Sequence, residues 1–184
     1  MKNSSGNKIA VSCFLVILSI FSIHVFATPP VVTCTGIQSA TYTPGMNDDL
    51  KTIDVQVETT FANCVHLQPL PKIMSGYSNT EATVDASCND LGVAVPNQRT
   101  IIWSNGQKSK INYISTVSIV NGQVVLTYDG VVLSGLYQGS SVFGSVTATT
   151  FIGNEPVDAL VGCATDEGIS GNSGPAFMTI TPTL

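Results

Sequence analysis

Charge is what this sequence has least of. Only 10% of its 184 residues are Asp, Glu, Lys or Arg, against roughly 25% in ordinary soluble chains. So little charge excludes a solvated disordered tail and a coiled coil. Basic residues are scarcest, 7 Lys and Arg against 12 Asp and Glu, for a net charge of −5. Nucleic-acid binding is excluded on that ground, because neutralising phosphates requires clustered cations. Histidines number 2 and tryptophans 1. There is no CxxC pair, so the cysteines lack zinc-site spacing. No window carries the long apolar 3.6-residue period of a substantial helix. No cofactor or metal is implied by any motif.

What is present begins with an apolar run over residues 9–26, preceded by Lys2 and Lys8 and followed by Val25-Phe26-Ala27 and Thr28-Pro29-Pro30. A basic start, an apolar middle and a small residue before the cut are the three parts of a secretory signal peptide. An uncleaved anchor is the rival reading, since a run of this length just spans a bilayer. No basic stop-transfer residue follows, however, and the double proline ends any helix. Residues 1–27 are therefore expected to be a signal peptide and 28–184 a single exported domain, periplasmic or secreted, with no stable membrane anchor after cleavage. Losing Lys2 and Lys8 leaves 5 basic against 12 acidic residues, and losing Cys13 turns five cysteines into four: Cys34, Cys64, Cys88 and Cys163. An even number in an oxidising compartment reads as two disulfides. Three connectivities are open; Cys34–Cys64 with Cys88–Cys163 is preferred, because the first pair can close the opening hairpin.

The exported part alternates. Ile53, Val55, Val57, Thr59 and Phe61 line one face of a strand whose other face is Asp54, Gln56, Glu58 and Thr60, the period of a half-buried strand. Ala82, Val84, Ala86 and Cys88 alternate likewise. Further strands are expected near 31–42, 131–138, 141–152 and 175–183, eight to ten in all, with a helical turn or two in 155–163. The fold class is all-β: an antiparallel β-sandwich, with a small β-barrel as the alternative and at most one short helix.

Asn105-Gly106 and Asn121-Gly122 each separate two β-rich runs, as two-residue hairpin turns do. Centring a turn on each fixes the register. Around the second, Ile119 faces Val124, Val117 faces Leu126 and Ser115 faces Tyr128. Around the first, Trp103 faces Lys108 and Ile101 faces Lys110, which gathers Arg99, Lys108 and Lys110 on one face with the only tryptophan. Cations beside an exposed aromatic ring make a contact anchor. These four residues are the candidate binding face, for an unknown protein or glycan partner.

Catalysis is weighed against this. Gly171-Asn172-Ser173-Gly174-Pro175 resembles the nucleophile segment of trypsin-type serine proteases, with His66 and then Asp85 or Asp90 in the required order. Only eleven residues follow Ser173, too few for the strands that complete such an enzyme's second barrel, and Gly and Asn are ordinary turn residues. A hydrolase using His66 with Asp90 or Ser173 stands as the alternative function. Calcium at Asn47-Asp48-Asp49 lacks EF-hand spacing.

Thr33-Cys34-Thr35-Gly36, Tyr42-Thr43-Pro44-Gly45, Thr100-Ile101-Ile102-Trp103 with Asn105-Gly106-Gln107, and the run Val132–Gly139 resemble segments of small exported bacterial β-rich proteins of unassigned function. The resemblance implies export and a β fold, and carries no reaction or catalytic residue. The alternating C-terminal strand after Gly171 is similar to that of fimbrial subunits, but Thr183 replaces their penultimate tyrosine and Pro182 interrupts the ladder. A structural subunit, or a periplasmic inhibitor or immunity protein, is the second alternative to an exported non-catalytic binding protein.

Overall fold

Period-two patterning governs almost the whole chain. In the computed structural model, which describes residues 32–66, 73–90 and 92–183, the strands in chain order are β1 (Val32–Met46), β2 (Lys51–His66), β3 (Gly76–Ala86), β4 (Val95–Trp103), β5 (Lys108–Val120), β6 (Gln123–Gly135), β7 (Ser141–Ile152), β8 (Glu155–Val157) and β9 (Ile169–Thr181). One short helix, α1 (Ala159–Cys163), precedes β9 and starts at Asp158, whose carboxylate accepts from the amides of Leu160 and Val161. The expected signal peptide, 1–27, lies outside the described residues.

Strands β1 to β7 each pair antiparallel with the next, and β9 lies between β7 and β1. The sheet thus closes into an eight-stranded barrel, with β8 a short hairpin partner of β7. The sandwich expected first is corrected to the barrel named as its alternative. A sandwich needs two sheets, and here β6 pairs with β7 from Val124↔Ala148 to Val131↔Ser141 without a break. Long strands, 15 residues in β1 and 16 in β2, give a twisted sheet the length to tilt and meet its own edge. The two disulfides are Cys34–Cys64, which ties β1 to β2, and Cys88–Cys163, which ties the β3–β4 connection to α1.

The interior is graded by side-chain size. At one end Trp103, Phe61, Ile101, Ile111, Met178 and Ile180 fill it completely. Toward α1 the inward positions fall to Ala40, Ala82, Ala148, Val57 and Val117, and they surround a cavity. Outside, Asp54, Glu58, Glu81, Thr83, Lys108 and Lys110 are exposed. The outer face is mixed, since Ile37, Ile102, Ile114, Leu133 and Phe143 are exposed as well. Among the described residues no helix is long and apolar enough to cross a membrane.

The two Asn-Gly turns differ. At Asn121-Gly122 both residues have positive φ, 51° and 76°, the two-residue turn expected, and Val117↔Leu126 and Ser115↔Tyr128 pair as read from the sequence. At the first turn only Gly106 has positive φ, 80°. Gly106 N–H donates to the Trp103 carbonyl and Trp103 N–H to the Gln107 carbonyl, both at 2.8 Å. This is a three-residue loop with a glycine bulge. The pairing consequently becomes Ile102↔Lys108 and Thr100↔Lys110. A one-residue slip turns every side chain of β5 to the other face.

Lys108 and Lys110 therefore point outward, while Trp103 is 2% exposed and Arg99 6%. The Trp103 Nε1–H donates to Ser109 Oγ at 2.8 Å, and its ring lies so close to β3 that a Cβ on Gly76 would sit 2.8 Å from it. The four residues therefore do not share one face. Trp103→Ala is expected to cost about 3–5 kcal/mol of stability as a large core truncation. Lys108→Ala and Lys110→Ala should each stay within about 0.5 kcal/mol. Urea unfolding followed by circular dichroism distinguishes them.

Candidate functional site

The half of the lumen nearer α1 encloses a cavity of about 670 Å³, within the roughly 300–1,000 Å³ of small-molecule sites. Its walls are built by parity. On β2, Ile53, Val55 and Val57 point in; on β5, Val117; on β6, Val124 and Leu126. The α1 end is roofed by the Cys88–Cys163 bridge with Ala159 and Ile169, against which Tyr42, Met46 and Ile119 pack.

One seam of the wall is open. β3 and β4 are paired only at Gly76↔Trp103 and Tyr77↔Ile102. Beyond these pairs the strands carry no ladder to each other. The connection between them explains why: Cys88 N–H donates to the Asn47 carbonyl and Gly92 N–H to the Val117 carbonyl, both at 2.8 Å. These anchors stretch the connection across the barrel mouth, where a tight hairpin would have zipped the strands. Pro96, which cannot donate to a ladder, lies on the β4 edge, and Glu81 and Asp85 mark the β3 edge. Both are ordinary protections of an unpaired strand. Ala82, Val84, Val93 and Val95 line the cavity beside this slit and are exposed.

The cavity floor is polar. Gln38, Thr59 and Ser78, neighbours across β1, β2 and β3, are buried, and Thr59 Oγ1–H donates to Gln38 Oε1 at 3.1 Å. Arg99 joins them from β4. Its guanidinium carbon lies 4.4 Å from the Tyr128 ring centroid, 5.2 Å from that of Tyr113 and 6.0 Å from that of Phe61. Its Nε and Nη2 are closed off from solvent with no hydrogen-bond partner among the described residues.

The carboxylates lining the cavity, Asp85 and Asp90, are at the mouth. Both mouth carboxylates already have donors: Thr52 Oγ1 for Asp85, and the Ser87 amide and hydroxyl for Asp90. Neutral tyrosines cannot replace them as counter-ions. Burial raises the Tyr113 phenol above its usual pKa, against the opposing pull of Arg99, with Tyr128 adding a smaller push upward. At the α1 end burial pushes Tyr42 up to about 12, although its oxygen accepts from Asn172 Nδ2 at 2.7 Å.

Burying an unpaired charge costs several kcal/mol even after relaxation, and cation–π contact returns about 0.5–2 kcal/mol. The deficit falls on the empty barrel.

The other residues singled out in the sequence are dispersed. His66 ends β2 opposite the α1 end, paired with Val32, its Nε2 3.0 Å from the Ile73 carbonyl and its Nδ1 3.4 Å from Tyr137 Oη. Ser173 pairs with Ser39, seven residues along β1 from Val32, or roughly 20 Å. Asp90 sits in the turn Cys88–Asp90 at the barrel's other end. The hydrolase constellation is therefore not assembled. Asp48 lies near Cys88 and Cys163, but both sulfurs are in the disulfide, so that cluster does not offer three metal ligands. Sequence reading placed Arg99 on the face of Ile101 and Trp103 and missed that this face is the inside; its signal was that parity.

Arg99→Met should leave the barrel folded and raise the stability of the empty protein by on the order of 1 kcal/mol, as replacement of an uncompensated buried ion does. Thermal or urea unfolding at neutral pH measures it, and a loss above about 2 kcal/mol would mean the guanidinium is already satisfied. The chain matches no family model, no curated protein and no solved structure, so its function is read from this site.

Proposed function

We propose that the protein is a non-catalytic binding protein, exported to the periplasm or beyond, that holds an apolar small molecule in its lumen. The observation that carries this reading is the cavity of about 670 Å³ behind an open seam. An eight-stranded barrel is just wide enough for its side chains to fill it or for one small ligand to sit inside. Here one half is filled, and the other is lined largely by Ala, Val and small polar residues. Four cysteines in two bridges fit an oxidising compartment. The slit between β3 and β4 is the way in, because the opposite end is packed solid and the roof is stapled by a disulfide.

A neutral dye that fluoresces in apolar surroundings, N-phenyl-1-naphthylamine, tests this. It should bind the oxidised protein, and Ala82→Trp, which puts an indole at the slit, should weaken binding at least tenfold. Ala82 points into the cavity beside the slit, so circular dichroism of the variant first checks that it is folded. Equal dye binding by the folded variant would place the dye elsewhere and remove support for the lumen.

A further inference from the structure

We propose that the ligand is a monocarboxylic acid with an apolar tail, its carboxylate paired with the buried guanidinium of Arg99. This rests on the lumen being the binding site and adds the class of molecule that occupies it.

Arg99 lines the cavity, and the planar fork of N–H donors on a guanidinium matches the two oxygens of a carboxylate. The fork is fixed in advance. Arg99 is 6% exposed, and its guanidinium lies 4.4 Å from the Tyr128 ring and 5.2 Å from the Tyr113 ring. Immobilising these groups before binding lowers the ordering cost that binding must meet.

Charge decides the valence of the head group. Among the described residues Arg99 is the sole Lys or Arg lining the cavity, so one negative charge is balanced and a second would be buried alone. A phosphomonoester, at about −1.5 to −2, is disfavoured for that reason. The walls decide the rest of the molecule. Val57, Val117, Leu126 and Val146 line the same cavity and gain from covering hydrocarbon. Asp85 and Asp90 at the mouth oppose an arriving anion, but their carboxylates already accept hydrogen bonds from Thr52 and Ser87. The same burial that makes the empty Arg99 unfavourable makes its pairing with an anion strong.

The experiment is calorimetric titration of the oxidised full chain, stripped of co-purified apolar molecules on a hydrophobic resin, with decanoic acid and with decan-1-ol at neutral pH. The two share a tail and differ at the head. The acid should bind at least tenfold more tightly than the alcohol, the equivalent of one charge-assisted interaction. In Arg99→Met that preference should vanish while alcohol binding is kept. Arg99→Lys, which retains the charge without the fork, should keep only part of it. Equal affinity of the wild type for acid and alcohol would overturn the head-group assignment and leave the lumen reading standing. So would a preference that survives in Arg99→Met. If neither compound binds the folded wild type, both readings fall. Should Arg99→Met not fold, the wild-type comparison of acid with alcohol still decides.

Discussion

Closure of the sheet by β9 is the constraint on which everything else depends. This strand pairs with β1 on one side and β7 on the other, and without it the chain would present two long unpaired edges. Closure explains the segment that looks most like chemistry in the sequence. Gly171-Asn172-Ser173-Gly174-Pro175 lies within β9, and a Cβ on Gly174 would collide with the Thr147 carbonyl oxygen of β7. Its glycines admit neighbouring backbone, and Ser173 has no base beside it. The likeness to a nucleophile loop comes from small residues needed for close strand approach.

Once the barrel is closed, each strand has an inside and an outside, and residue size alone decides whether the inside is core or cavity. Large side chains at the Trp103 end supply the packing that holds the fold. Small ones toward α1 forgo burial that a Leu or Ile would have gained, and one position places a cation where the protein offers it no anion. Positions that break the rules of a stable core in one region, while the rest obeys them, are where function is expected to reside. The β3–β4 slit belongs to the same pattern, since its unpaired backbone is tolerated where it gives access to the lumen.

Much of this was legible. Alternation at Ile53–Phe61 and Ala82–Cys88 names inward faces, and Asn121-Gly122 gives its hairpin's register to the residue. Asn105-Gly106 misleads because the same dipeptide serves a two-residue turn and a bulged three-residue loop, and the choice between them reverses Lys108 and Lys110. Reading Trp103 as core would have carried Arg99 inward with it, four residues earlier on the same strand. The sandwich and the barrel share one alternation pattern, and the pairings of β6 with β7 and of β9 with both β1 and β7 separate them. The slit could not be read at all, because it arises from anchors at Asn47 and Val117 that are distant in sequence from the strands they hold apart.

The most direct test of an Arg99-centred lumen site is the ionisation of the bound head group. Decanoic acid labelled with ¹³C at its carboxyl carbon reports protonation through its chemical shift while bound to the protein. Held by the Arg99 fork, the bound carboxylate should titrate about 1–3 pH units below the free acid. A bound acid that titrates at or above the free value would contradict the site, because an apolar cavity without a paired cation favours the protonated form.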